Sequence, residues 1–384
     1  MTDLDDPDVN HERAVTRPHH HVPVYASTRY PDDASYLDVA CDKLRRAAVA
    51  LDVPPARQAD MTALLRRLCR PWGDAPVARP RYWSNVSLEG MPFELSYAWG
   101  GGREWELRMS FETLAETPTP EAGLDVCRAF TRRLADEPGA GISRYLAVED
   151  LFVAPTVVGM SPMAHGISWT PGAAPGLKIY LNPNIAGYEH GVARTSEAME
   201  RLGLARAWRS VCDGLAELGV APRPVVVAMD LSAASEARVK IYLPHLEVDA
   251  EAIDRQSAIA ANHVPGAFAA ALRRVTGHTG PAWRKVPVTC LTLVAGDSTA
   301  AAATLYVPLN PDLADDAAAC AAVSGFVREA GGDPSSYAAL LHAIADRPLT
   351  DSATHNFVSF RPGPQPRFAV YLAPGVYRHP GGAT

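Results

Sequence analysis

Apolar and polar positions along this chain follow two rhythms in turn. Apolar side chains recur every three to four residues over 34–50, 57–68, 121–136, 195–217, 250–274, 315–329 and 335–346, the spacing of one buried helix face. Between those segments they recur at every second residue, over 91–99, 104–112, 151–158, 165–170, 177–181, 224–230, 237–243, 286–295, 302–307, 355–360 and 366–372. Past the two leading helices, the order helix, strand, strand therefore repeats about five times. Gly100-Gly101-Gly102 separates the first two strands and reads as a hairpin turn. A phosphate-cradling loop would need a Walker lysine and a following helix, and neither is there. Strands joined by short polar loops pair antiparallel, and the helices between hairpins must cover one face of the sheet.

The alternation also says which face. In Arg238-Val239-Lys240-Ile241-Tyr242-Leu243, Arg, Lys and Tyr share one side of the strand and Val, Ile and Leu the other. Lys178 and Tyr180 split in the same way from Ile179 and Leu181, and Arg367 and Tyr371 from Phe368, Val370 and Leu372. The tyrosines Tyr180, Tyr242, Tyr306 and Tyr371 lie 62, 64 and 65 residues apart, each with a proline close behind. If the aliphatic faces pack on helices, the polar faces point the other way. Closing the sheet gathers them in one lumen and removes exposed strand edges. The alternative is an open sheet with its polar face in water. The predicted fold class is α+β, a closed antiparallel barrel with outer helices, within one domain over 23–384.

Composition narrows the chemistry. With 384 residues, 47% of them hydrophobic, the chain can bury a large core. A formal charge of -7 gives no global basic field for nucleic acid, so any anion site is a local cluster of cations. The six cysteines are scattered without a C-x-x-C pair, which suits reduced thiols in the cytoplasm. The acidic start lacks an apolar signal segment, and no run approaches the length needed to cross a bilayer. Residues 1–22 read as a polar, mobile tail, and His19-His20-His21 within it as solvated side chains.

The lumen candidates are Arg108, Lys178, Arg238, Lys240 and Arg367, interleaved with Tyr180, Tyr242, Tyr306 and Tyr371. Burying several cations without partners is prohibitive, and acids nearby in sequence are too few. A multiply charged phosphate ligand is the natural partner; the alternative is independent ion pairs on the rim. Tyrosine rings attract positive charge over their faces by about 0.5–2 kcal/mol each. A site with both groups can hold a diphosphate while phenols enclose the carbocation it leaves behind and exclude water. No D-D-x-x-D box is present, so the anion is expected to be held by protein cations alone, with no metal and no cofactor. Asp315-Asp316 reads instead as a helix start. Glu94, among mostly apolar neighbours, is placed to accept a hydrogen bond from a substrate N–H and enrich an aromatic ring; the alternative is an exposed strand glutamate. His165 is either a proton acceptor or a satisfied core histidine.

Several segments, in order, carry a family resemblance: Pro92-Phe93-Glu94-Leu95-Ser96, Leu107-Arg108-Met109-Ser110-Phe111-Glu112, Glu149-Asp150-Leu151-Phe152, Gly176-Leu177-Lys178-Ile179-Tyr180-Leu181-Asn182-Pro183, Ala237-Arg238-Val239-Lys240-Ile241-Tyr242-Leu243 and Val370-Tyr371-Leu372. Over about residues 72–377 the chain resembles the indole (DMATS-type) aromatic prenyltransferases, most closely their bacterial members. The resemblance implies the ABBA barrel of ten antiparallel strands around a reaction chamber. It also implies metal-independent transfer of a dimethylallyl group from its diphosphate to an indole ring, commonly that of L-tryptophan. Glu94 then takes the place of the carboxylate that binds the indole N–H. Arg108, Lys178, Arg238 and Lys240 take diphosphate-binding places, and the four tyrosines form the shield. Three positions depart from the fungal pattern. His165 stands where some fungal members have a proton-accepting lysine, Thr304 where glutamine is frequent, and Arg367 where another shield tyrosine is frequent. The final proton acceptor is left between Glu94 and His165. Phenolic or naphthalene acceptors, or a binding protein for isoprenoid diphosphates without catalysis, are the rival functions.

Overall fold

In the computed structural model, which describes residues 22–158, 162–234 and 237–378, two helices come first, α1 (Tyr36–Ala50) and α2 (Pro55–Cys69). Ten strands follow as five hairpins: β1 (Phe93–Gly100) with β2 (Glu106–Phe111), β3 (Met163–Trp169) with β4 (Gly176–Leu181), β5 (Val226–Asp230) with β6 (Val239–Pro244), β7 (Val288–Leu293) with β8 (Ala302–Pro308), and β9 (His355–Arg361) with β10 (Arg367–Leu372). Every strand pairs antiparallel with its neighbours in sequence, and β1 closes on β10 to complete the barrel. Closure leaves no edge strand. Helices α3 (Pro120–Arg133), α4 (Ser143–Leu146), α5 (Gly191–Arg201), α6 (Ala205–Glu217), α7 (Ala250–Gln256), α8 (Ala267–Thr276), α9 (Asp316–Glu329) and α10 (Ser335–Ile344) lie between hairpins. Residues 1–21, including the histidine triplet, lie outside the described residues.

The aliphatic strand faces pack outward against these helices. Val239 and Ile241 are fully buried there, as are Ile179, Val358 and Val370, and each such side chain contributes about 1.5–3 kcal/mol. Local signals fix the helix starts. Ser35 and Asp38 form a capping box on α1, and Asp315 caps α9 by accepting from the Ala318 N–H, the helix start expected of that pair. Gly100, Gly101 and Gly102 all take positive φ (+78°, +73° and +61°), which only glycine adopts without strain, so the run is the β1–β2 hairpin turn.

Three expectations need correction. Residues 151–158 form no strand: Glu149–Phe152 is a 3-10 turn, and Pro155 beyond it has no N–H to give to a ladder. The helix expected over 195–217 is two, broken where Gly203 takes φ +70°. The segment 250–274 is likewise divided between α7 and α8, with Pro265-Gly266 just before the second. Both breaks fall at glycines with positive φ, Gly203 and Gly266.

Candidate active site

The polar strand faces converge inside the barrel as the alternation requires. Arg108, Lys178, Arg238 and Lys240 line one cavity of about 570 Å³, together with Tyr180, Tyr242, Tyr306, Tyr371 and Glu94. That volume is in the range of small-molecule sites. The register orders the lining along the barrel axis. On β2, Glu106, Arg108 and Ser110 point inward in succession; Arg108 pairs with Ser96, and Ser110 pairs with Glu94. Glu94 therefore sits one two-residue step beyond Arg108, about 7 Å along the strand.

The cationic end is crowded. Lys178 Nζ donates to Asp230 Oδ1 at 2.6 Å, and Arg238 Nε to Asp230 Oδ2 at 2.9 Å. Arg108 Nη2 donates to Glu106 Oε2 at 2.7 Å and Nη1 to the Tyr371 hydroxyl at 3.4 Å. Burial works to raise both carboxyls, yet the surrounding cations hold Glu106 and Asp230 well below the usual carboxylate range. Arg367 is nearby, 3.6 Å from Glu106, and Arg361 pairs with it across β9 and β10. Four cations thus share two carboxylates, with Lys240 and Arg361 beside them. Lys240 makes no ion pair among the described residues. Burial first, then the like charges of Lys178, Arg238 and Arg108, bring its ammonium down to about 8. Arg108 Nε is a buried N–H without a partner among the described residues. The excess positive charge of such a cluster suits a polyanion.

Beside it stand the phenols. The hydroxyls of Tyr306 and Tyr371 are 2.9 Å apart and those of Tyr242 and Tyr306 3.5 Å, with ring centroids 5.2 and 5.6 Å apart. Tyr180 rises beside Lys178, against Gly166, where an added Cβ would come within 3.4 Å of the ring. Burial raises all four phenols, so none ionises near neutrality. They present neutral π faces and hydroxyl donors.

At the other end Glu94, 7% exposed, accepts from Asn356 Nδ2 at 2.6 Å. Burial raises its carboxyl to about 7, against the opposing pull of Asn356 and of the Lys285 ammonium. Among the described residues no group of three or more His, Cys, Asp or Glu is placed to hold a metal ion, and no helix is long and apolar enough to cross a membrane.

This geometry can be set beside known proteins. The family described as tryptophan dimethylallyltransferase matches residues 48–257. The chain belongs to that family. Among solved structures it is similar to 6-dimethylallyltryptophan synthase from Micromonospora olivasterospora, solved in complex with DMASPP and Trp: 30% identity over 90% of this chain and 99% of that one, with a TM-score of 0.83. It is also similar to 5-dimethylallyltryptophan synthase from Streptomyces coelicolor, at 23% identity over 90% of this chain and 99% of that one, with a TM-score of 0.81. The likeness extends the ABBA barrel over the chain, which is an aromatic prenyltransferase.

Two expected site residues of this prenyltransferase are not in the cavity wall. His165 faces outward, because on β3 the small residues Ala164, Gly166 and Ser168 take the lumen side, opposite Tyr180, Lys178 and Gly176. Its ring is 1% exposed between barrel and helix, with Nε2 2.8 Å from Thr131 Oγ1 and Phe130 edge-on at 4.6 Å. Burial drives it down to about 3, so it is a neutral core histidine. His165→Leu is expected to leave kcat/KM within about threefold of the parent and the fold intact, because Thr131 Oγ1 keeps its hydrogen bond to the Cys127 carbonyl and the partnerless His165 Nδ1 is removed; steady-state kinetics and a thermal melt check both. Arg367 stays at the hairpin end, donating to the Gly100 carbonyl at 2.9 Å, and reaches the cluster only through Glu106.

Other lining groups escaped the sequence reading. Asp230 is directly opposite Lys178 across β4 and β5 and shares a hairpin with Arg238, whereas Glu106 gains Arg367 only when β10 closes on β1. Lys285 lies in an irregular segment before β7. Asn356 owes its position to a β-bulge: Tyr371 pairs with Phe357 and Leu372 with His355, so Asn356 is the extra residue. Asn356 and Phe357 consequently both line the cavity, against simple alternation.

Proposed function

We propose that this protein transfers the dimethylallyl group of dimethylallyl diphosphate to the indole ring of L-tryptophan without a metal ion. The observation that carries this reading is one cavity with a carboxylate at one end, an excess of cations at the other and phenols between. Arg108, Lys178, Arg238 and Lys240 receive the diphosphate, and Arg367 supports them through Glu106. As the C–O bond breaks, negative charge grows on the leaving diphosphate, where these cations are already arranged, so they stabilise departure more than binding. Tyr180, Tyr242, Tyr306 and Tyr371 flank the allyl cation and keep water from it. Glu94 accepts the indole N–H, which orients the ring and raises its electron density. A carbon–carbon bond forms, and a ring proton leaves as aromaticity returns. Of the two acceptors the sequence offered, Glu94 is the one inside the chamber.

Incubation with dimethylallyl diphosphate, L-tryptophan and a hydroxynaphthalene in competition tests the reading. Monoprenylated tryptophan, with one diphosphate released per product, is expected. Prenylated naphthol without prenylated tryptophan overturns the acceptor assignment, and ligand binding without diphosphate release overturns catalysis. Excess EDTA is expected to leave the rate within about twofold, because protein cations take the place of Mg²⁺ on the diphosphate; a rate restored only by Mg²⁺ contradicts the metal-free reading.

A further inference from the structure

Glu94 is buried where a carboxyl tends to keep its proton, yet a carboxylic acid is a poor acceptor for an indole N–H. Something must hold it ionised. The cationic cluster does not: the like charges felt by Lys240 are those of Lys178, Arg238 and Arg108, whereas the charges felt by Lys285 are those of Glu94 and Asp312. Lys285 belongs to the acceptor end. Its Nζ donates to Asn356 Oδ1, and the Asn356 Nδ2 donates to Glu94 Oε1 at 2.6 Å. An ammonium can only donate and a carboxylate only accept, so the two charges fix the orientation of the amide between them. The Lys285 ammonium also sits 4.1 Å from the centroid of the Phe357 ring, a second anchor. The same bulge in β9 brings both Asn356 and Phe357 into the cavity.

We propose that Lys285, acting through the side-chain amide of Asn356, is a positioning residue that keeps Glu94 ionised and aimed into the chamber. The proposal rests on the reading of Glu94 as the indole N–H acceptor. The charged groups around the relay are few. Among the described residues Glu94 faces Lys285 alone among charges, and Lys285 faces Glu94 and Asp312; Asp312 in turn faces Arg284 and His278, whose Nε2 is 4.0 Å away. The relay works while Lys285 is protonated and Glu94 is not, so kcat/KM for the acceptor rises as Glu94 ionises and falls again as Lys285 loses its proton.

The test is a pH titration of the Glu94 carboxyl by NMR on ¹³C-glutamate-labelled protein, assigned by the signal that Glu94→Gln removes. It is run alongside pH–rate profiles for the parent, Lys285→Met, Lys285→Arg and Asn356→Ala. In Lys285→Met the Glu94 titration and the acid limb of the profile are expected to move up together by about one pH unit. That shift gives an about tenfold loss of kcat/KM on the acid side. Asn356→Ala is expected to move both in the same direction, and Lys285→Arg, which keeps the charge, to hold both near the parent. A Glu94 titration unchanged in folded Lys285→Met, or in Asn356→Ala where the first variant does not fold, overturns the proposal. Full activity of Glu94→Gln overturns the acceptor reading instead, and the titration still reports whether Lys285 controls Glu94.

Discussion

Lys240→Met is expected to make the protein more stable and far less active. Lys240 is held among Lys178, Arg238 and Arg108 without an ion pair among the described residues, and its ammonium is brought down to about 8 by burial and that crowding. Methionine keeps most of the stem and removes the charge, and it orphans no carboxylate, since Asp230 and Glu106 remain with their own cations. A lysine whose folded value lies below its unfolded one binds fewer protons when folded, so the parent gains stability as pH rises from about 8 toward 10.5. The variant should therefore melt higher than the parent at pH 7, by a margin that shrinks toward pH 10. Its kcat/KM for dimethylallyl diphosphate should fall by about 10²–10³, the usual effect of removing one donor aimed at developing charge. Melting curves at the two pH values and steady-state kinetics check both halves. A variant that is less stable at pH 7, or that keeps its rate, contradicts the placement of Lys240 as a ligand of the diphosphate.

Glu94→Gln is expected to cost about 10²-fold in kcat/KM for the indole acceptor, with KM for the diphosphate substrate nearly unchanged. The substitution keeps the shape and one carbonyl oxygen. It removes the charge that strengthens an N–H contact and the group able to take up a proton near neutral pH. Separation along the axis predicts the split: Glu94 is at the level of Ser110, one step past Arg108, so its loss leaves the cationic end intact. The fold should survive, because a neutral amide replaces a carboxyl that burial already disfavours. Kinetics with each substrate varied in turn, together with circular dichroism, measure this. A change below about threefold would remove Glu94 from the mechanism.

Much of the barrel and its chamber is legible in the sequence, for physical reasons. A strand that must be aliphatic on the helix side and polar on the lumen side leaves a period of two in the sequence. Val239 and Ile241 against Lys240 and Tyr242 is the plainest case. Repeating that hairpin at a near-constant interval implies closure. Parity would also have placed His165 correctly, since it is in phase with Met163, Ile167 and Trp169, while the small side chains of Ala164, Gly166 and Ser168 leave room for a chamber. What the pattern could not carry is chemistry that arises off the ladder. Lys285 comes from an irregular connection, Asn356 from a single extra residue in β9, and the sharing of Glu106 by Arg108 and Arg367 from strands that meet only when the barrel closes. The strand expected over 151–158 failed for a related reason: apolar alternation does not register that Pro155 lacks the donor a ladder needs.

A crystal structure of the protein with dimethylallyl thiolodiphosphate and L-tryptophan bound together is the most direct measurement. The diphosphate should lie within hydrogen-bonding distance of Arg108, Lys178, Arg238 and Lys240, the prenyl carbons against Tyr180, Tyr242, Tyr306 and Tyr371, and the indole nitrogen on Glu94. A diphosphate bound elsewhere, or an indole turned away from Glu94 with its ring outside the ring of tyrosines, would contradict a mechanism in which buried cations draw off the leaving group inside a dry aromatic chamber.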